Sequence, residues 1–119
     1  MRELVKAFKA LSDETRLRIL NLLLERECCV CEVMQALDIS QTRASRNLGI
    51  LLDAGFLKTK RDGLWTIYSI DWQSGNLYAI SLTELLKNPP ICNETLDNDR
   101  ERLRKAKRVG PGCVKRSRK

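Results

Sequence analysis

Histidine is missing from all 119 residues. The side chain most used for acid–base work near neutral pH, and a common metal ligand, is therefore unavailable. No stretch is long or apolar enough to span a membrane. Met1-Arg2-Glu3 leads straight into an amphipathic pattern, without the charged-then-apolar layout of a signal peptide. The chain is expected to stay in the cytoplasm, with no membrane partner. Internal repeats are absent. Cysteines number five, an odd count, and in a reducing cytoplasm they read as thiols or ligands rather than a disulfide framework. The length suits one domain, and 43% hydrophobic residues supply a modest core that pairing with a second chain would enlarge.

The net charge of +7 is unevenly spread. Residues 100–119 hold ten Lys/Arg against Glu101 alone, which leaves residues 1–99 at −2. Excess base in the tail is no evidence that the folded body binds nucleic acid. What counts is the local cluster Arg43, Arg46, Lys58, Lys60 and Arg61.

Residues 3–10 show helical spacing, with Leu4, Ala7, Phe8 and Leu11 on one side. Ser12-Asp13-Glu14 is a start signal with Ser12 as the capping hydroxyl. The next helix runs to about Glu25 with Leu17, Leu20, Leu23 and Leu24 as its stripe. A short helix follows from about Cys31 to Leu37. After the turn Asp38-Ile39-Ser40, capped by Ser40, a helix from Gln41 to Asp53 buries Ala44, Leu48, Leu51 and Leu52. It presents Thr42, Arg43, Arg46 and Gly49 on the opposite side. Ala54-Gly55 closes it. Phe56–Lys60 and Leu64–Ile70 read as strands joined by Asp62-Gly63. A last amphipathic helix starts near Ser74-Gly75 and ends at Asn88-Pro89-Pro90. Residues 94–108 read as a solvated, charge-rich helix, and 109–119 as a flexible segment containing Gly110-Pro111-Gly112.

Helix, tight turn, helix and basic hairpin make a winged helix-turn-helix: mainly α, with a β-hairpin wing. Gln41, Thr42, Arg43, Ser45 and Arg46 suit a helix lying in the major groove, where Arg pairs with guanine and Gln with adenine. Lys58, Lys60 and Arg61 would meet phosphate or the minor groove beside it. Just upstream, Glu27-Cys28-Cys29-Val30-Cys31-Glu32-Val33 packs three cysteines into four residues. Thiolates are soft ligands that select soft ions. A soft-ion trap beside a DNA reader points to a repressor that such an ion controls.

Residues 3–88 resemble the ArsR/SmtB family of bacterial metal-responsive repressors. The likeness is carried by Leu11-Ser12-Asp13-Glu14-Thr15-Arg16-Leu17-Arg18-Ile19-Leu20 and Ser40-Gln41-Thr42-Arg43-Ala44-Ser45-Arg46-Asn47-Leu48. Asp53-Ala54-Gly55-Phe56-Leu57 and Arg61-Asp62-Gly63-Leu64-Trp65 add to it. The cysteine segment is similar to the family's arsenic-sensor box, usually Glu-Leu-Cys-Val-Cys-Asp-Leu. The resemblance implies a homodimer joined through the first and last helices, reading an inverted repeat in double-stranded operator DNA. It also implies repression of a resistance operon, relieved by an inducer. Leu4, Phe8, Leu11, Leu77, Leu85 and Leu86 fit that interface, and fit a monomer core nearly as well. The expected division is a DNA-binding and dimerisation domain over 1–90 and a charged basic tail over 91–119, which adds nonspecific DNA affinity.

The family pattern places Cys29 and Cys31 as the ligand pair. On a regular helix they would stand about 200° apart, so they share an ion only where the helix starts or is distorted. Distortion would cost the shape that binds DNA, and a helix N-terminus would lower the thiol pKa. Arsenic sensors usually carry a third cysteine three residues on, where this chain has Met34. The substitutes are Cys28, three residues before Cys31 and so on the same helical side, then Cys92, then Cys113, in that preference, or a two-thiol site. Lacking histidine, the chain cannot build the His/Asp sites of the family's zinc, nickel and cobalt sensors. Cadmium and lead sensors add cysteines from an N-terminal extension, which this chain is expected to lack. Arsenite or antimonite is thus the expected inducer, with no organic cofactor.

Rival readings are a redox or reactive-sulfur switch using Cys28-x-x-Cys31, a cadmium or lead sensor, and a DNA-binding protein that no ion alters. A thiol–disulfide enzyme would need a thioredoxin-like βαβ setting, and the helical pattern argues against it. No enzymatic activity is expected.

Overall fold

A computed structural model describes residues 1–109. Of the flexible segment expected at 109–119, residues 110–119, Cys113 among them, lie outside the described residues. The chain runs α1 (Arg2–Leu11), α2 (Glu14–Glu25), β1 (Cys28–Cys29), α3 (Val30–Leu37), α4 (Gln41–Asp53), β2 (Leu57–Asp62), β3 (Trp65–Ile70), α5 (Leu77–Lys87) and α6 (Glu94–Lys105). This is the winged helix-turn-helix expected, with one strand more than the sequence announced.

The cap of α2 is Asp13, whose carboxylate accepts the Arg16 N–H at 3.2 Å. Ser12 instead finishes α1, donating its hydroxyl to Phe8 O at 2.8 Å. Helix α2 buries Ile19, Leu20, Leu22 and Leu23, while Leu17 and Leu24 are half-buried. The expected stripe is displaced because α1, α3, α4, α5 and α6 all pack around α2, so no single face defines its core.

Asp38 closes α3 with φ +54, in the left-handed region that a short polar side chain tolerates. Ser40 then caps α4, accepting the Arg43 N–H at 3.2 Å. The buried face of α4 is Ala44, Asn47, Leu48 and Leu51. Leu52 is exposed, against expectation. It stands about 80° from Ala44 on one side, whereas Asn47 stands about 60° away on the other, and the core lies on the Asn47 side.

At the exit of α4, Gly55 has φ +91, and a Cβ there would sit 2.8 Å from Ser74 Oγ and 2.9 Å from Asn76 Cβ. Only glycine lets this turn seat on the start of α5. Asn76 is the cap of α5, a residue or two later than expected. It donates to Ala54 O at 3.0 Å and accepts the Tyr78 N–H at 3.1 Å.

Strands β2 and β3 pair antiparallel from Leu57↔Ile70 to Asp62↔Trp65. The two-residue turn is therefore Gly63-Leu64, one place beyond the expected Asp62-Gly63, with Gly63 at φ +63 supplying the conformation that hairpin turns demand. β1 adds to the other edge of β3 through Cys28↔Tyr68 and Cys29↔Ile67, giving the order β1-β3-β2.

Helix α6 is docked, not solvated. It packs on α2 and α3 and buries Leu96, Asp99 and Leu103. Asp99, fully buried, takes a two-pronged ion pair from Arg18 at 2.8 and 2.9 Å and another from Arg102 at 2.7 Å. Arg102 also donates to Ala36 O at 2.6 Å, and Arg26 to Leu103 O at 2.9 Å. The charges that made this stretch read as surface are spent holding it down.

Candidate functional site

Cys29 is the N-cap of α3 and Cys31 its second residue. At a helix entrance the 200° separation of a regular helix does not apply. The two sulfurs lie 2.8 Å apart, with Cys29 in an extended conformation just before the first turn of α3. Glu32, buried, fixes this corner: its carboxylate accepts the Cys29 N–H at 2.9 Å and pairs with Arg26 at 2.9 Å. The sequence reading passed over Glu32, although an acid three residues after a helix cap is a recognisable capping signal.

Neighbouring residues of a strand point to opposite faces. β1 therefore separates Cys28 from Cys29. Cys28 joins the main core with Leu57 and Ile70, its Sγ 3.5 Å from Arg26 O. Cys29 and Cys31 form a second cluster with Ile67, flanked by Trp65 and Val109. The i,i+3 argument for Cys28 fails because the helix begins only at Val30. Cys92 is exposed, in the link between α5 and α6. Among the described residues, no three His, Cys, Asp or Glu side chains come together in a metal-holding group.

Helix position was expected to lower the thiol pKa. Burial outweighs it: desolvation pushes Cys29 up to about 12, helped by its hydrogen bond to Cys31. Desolvation, then the charge of Glu32, pushes Cys28 up to about 12 as well. The pair lies in a buried apolar cluster with Ile67, where burial keeps Cys29 a neutral thiol.

The last described residues cover this cluster. Lys107 exchanges two hydrogen bonds with Gln35, at 2.6 and 3.1 Å, and its carbonyl lies 3.9 Å from Cys31 Sγ. Arg108 sits over the Trp65 ring and reaches Asp62 at 2.7 Å and Glu32 at 3.7 Å. One segment thus touches the thiol pair, the entrance of α3 and the hairpin tip.

On α4, Thr42, Arg43 and Arg46 are exposed and Gln41 and Ser45 half-buried, the last two hydrogen-bonded to each other at 2.8 Å. Arg43 also donates to Thr15 at 3.1 Å. The helix is positioned by Arg16, which donates to Asn47 at 2.9 Å and to Ala10 O at 2.6 Å. Both residues fall within the quoted family segments, but nothing in their spacing marks them as partners. The wing bases split across the sheet. Lys58 and Lys60 share the face of Cys29 and Ile67, and Lys60 is paired with Glu27 at 3.2 Å. Arg61 lies on the opposite face, with Leu57 and Thr59.

The six apolar residues expected at an interface divide in two. Phe8, Leu77 and Leu85 are 54%, 71% and 64% exposed, so they are not monomer core. Leu4, Leu11 and Leu86 are half-buried, with Leu11 and Leu86 packed on the core. α1 and α5 touch, and Val5 and Tyr78 add exposed area on the same two helices.

Residues 13–59 match the model described as "Bacterial regulatory protein, arsR family". The chain is 45% identical over 67 residues to the arsenical resistance operon repressor of Escherichia coli (56% of this chain, 57% of that protein). It is 34% identical over 77 residues to the arsenical resistance operon repressor of Bacillus subtilis (64% and 73%). It is 41% identical over 70 residues to a Staphylococcus aureus cadmium resistance regulatory protein (58% and 58%). It therefore spans little more than half the length of two of these three relatives. Among solved structures, reduced HlyU from Vibrio cholerae superposes with TM-score 0.64 at 28% identity, over 76% of this chain and 92% of that one. The homodimeric winged helix-turn-helix domain of Mb0332 from Mycobacterium bovis gives 0.62 at 28% (74% and 78%).

Proposed function

Because this chain belongs to the ArsR family of bacterial regulatory proteins, DNA-binding transcriptional regulators rather than enzymes, we propose that it is a cytoplasmic, homodimeric repressor of a metalloid-resistance operon. Arsenite or antimonite, bound at Cys29 and Cys31, releases it from operator DNA. The single observation that carries this reading is the pair of buried sulfurs 2.8 Å apart at the joint between the reading unit and the wing. Cys29 pairs with Ile67 of the wing strand, and the helix that Cys29 caps packs directly on α4. A ligand on this pair acts on both DNA-contacting elements at once. α4, through Gln41 to Arg46, meets the major groove, and Arg61 and Lys58 meet the backbone beside it.

Proton balance favours a trivalent metalloid. Each thiol hands its proton to a hydroxide of arsenous acid and takes that hydroxide's place, so water leaves and the product is neutral. A divalent ion also gives a neutral adduct with two thiolates, but both protons must then leave as free acid, from thiols of which burial holds Cys29 protonated up to about pH 12. The 41% identical cadmium regulator keeps cadmium in the test.

The test is operator binding by fluorescence anisotropy under a phosphine reductant, titrating arsenite, antimonite, cadmium and zinc against wild type and Cys29→Ser. Release by the metalloids that disappears in Cys29→Ser supports the reading. Release by cadmium alone makes the protein a divalent-metal sensor. Binding that no ion alters rejects both, and peroxide, which would take two thiols to a disulfide and two waters, becomes the next titrant.

A further inference from the structure

The outward face of α4 does not end at Arg46. Three residues on, it is bare. A Cβ built at Gly49 would meet no atom within 4 Å, so packing gives no reason for glycine there, inside a helix that glycine weakens. Gly49 lines a cleft of about 370 Å³ between α4, the second half of α1 and Arg16 of α2.

Four bases line this cleft, Lys6, Lys9, Arg16 and Arg46, against one carboxylate, Asp53. Their commitments differ. Lys6 holds Asp53 at 2.9 Å, which offsets the negative charge. Arg16 is spent on the fold. It donates to Ala10 O, Asn47 and Lys9 O at 2.6, 2.9 and 3.3 Å, with Asp13 at 3.9 Å. Its guanidinium stays charged and forms a fixed positive floor. Lys9 and Arg46 are exposed, and neither side chain has an ion-pair or hydrogen-bond partner among the described residues. A concave surface of one sign draws in counter-ions. This one is continuous with the face that carries Thr42, Arg43 and Arg46, so the anion that reaches it when that face meets DNA is a backbone phosphate.

We propose that the cleft seats one phosphate of the operator backbone, held by Lys9 beside Arg46, with Gly49 left bare for the strand to pass. This rests on reading α4 as the helix that meets DNA, and it adds α1 to the elements that touch the duplex. The Lys9 ammonium brings three donors and a point charge. Neither its side chain nor the space at Gly49 is used by the fold, so both can be altered without disturbing it.

The test is anisotropy over a range of salt concentrations, without inducer, on operator and on a scrambled duplex of equal length. Lys9→Gln should weaken both by the same factor, about tenfold near ~0.1 M salt, and lower the slope of log K against log salt by about 1. Lys9→Arg should restore affinity and slope. Gly49→Glu should weaken both duplexes and Gly49→Lys tighten both, with unfolding temperatures held, a gain that a merely structural role would not give. Unchanged affinity and slope in Lys9→Gln would overturn this assignment and leave operator binding by α4 intact. So would a loss confined to operator, which would make Lys9 a reader of bases, or indifference to charge at position 49. Wild type that binds neither duplex would overturn the DNA reading and this assignment together.

Discussion

Asp99 is a carboxylate on which two arginines converge. It is fully buried and holds Arg18 and Arg102 together. Removing one partner of a buried ion pair leaves the other charge stranded, at about 3–5 kcal/mol. Asp99→Ala should lose stability on that scale in urea unfolding, and a loss under about 1 kcal/mol would show the pair to be dispensable. Cys28 gives a pH signature. Its folded pKa is raised from 9.0 to about 12, so its contribution is fully present below pH 9 and fades as pH rises toward 12. Between those limits the unfolded chain loses a proton that the folded chain keeps, at about 1.4 kcal/mol per pH unit. Cys28→Ala should flatten the alkaline decline of stability by that slope. The thiol pair itself was legible in the sequence, because spacing and residue type carry it. The side of the sheet to which Cys28 belongs was not, because that is set by pairing with Tyr68, forty residues away.

Among the elements, α4 was read to its ends and α6 was misjudged, for a common reason. Local periodicity and caps define α4 within its own sequence. α6 is held by arginine contacts to α2 and α3, from positions 66 to 81 residues apart, and nothing local distinguishes a paired arginine from a solvated one. β1 escaped for the same reason, since two residues become a strand only when β3 lies beside them. Within the reading surface, exposure separates side chains that composition cannot. Arg46 is exposed on the outward face of α4, while Lys60 is held by Glu27. Arg46→Ala should cost about 1–3 kcal/mol of operator affinity, measured by anisotropy at fixed salt, and Lys60→Ala should cost less. The reverse order would place the wing, rather than the helix, at the bases.

For the whole molecule, the proposed homodimer would join through the exposed apolar residues of α1 and α5. Phe8, Leu77 and Leu85 are 54%, 71% and 64% exposed, and on the proposed homodimer reading a partner would cover them. Leu77→Glu with Leu85→Glu should convert a dimer to a monomer in sedimentation and weaken operator binding, since each half-site is then held alone. A double variant that remains dimeric would move the interface elsewhere. The sequence could propose these positions but not divide them, because Leu4, Leu11 and Leu86 follow the same periodicity and turn toward the core.

Trp65 carries a consequence for how the protein can be watched. Its indole flanks the Cys29–Cys31–Ile67 cluster beneath Arg108, and its Nε1 is buried without a hydrogen-bond partner among the described residues. The other indole, Trp72, is exposed beside Lys87. A Trp72→Phe protein therefore emits from the edge of this cluster alone. A heavy atom seated on the sulfurs should quench that emission, antimony more strongly than arsenic, and Cys31→Ser should abolish the response. Constant emission through saturating arsenite would mean that the metalloid binds elsewhere. The cluster thus carries its own lamp, and occupancy can be followed in real time without a label and without DNA.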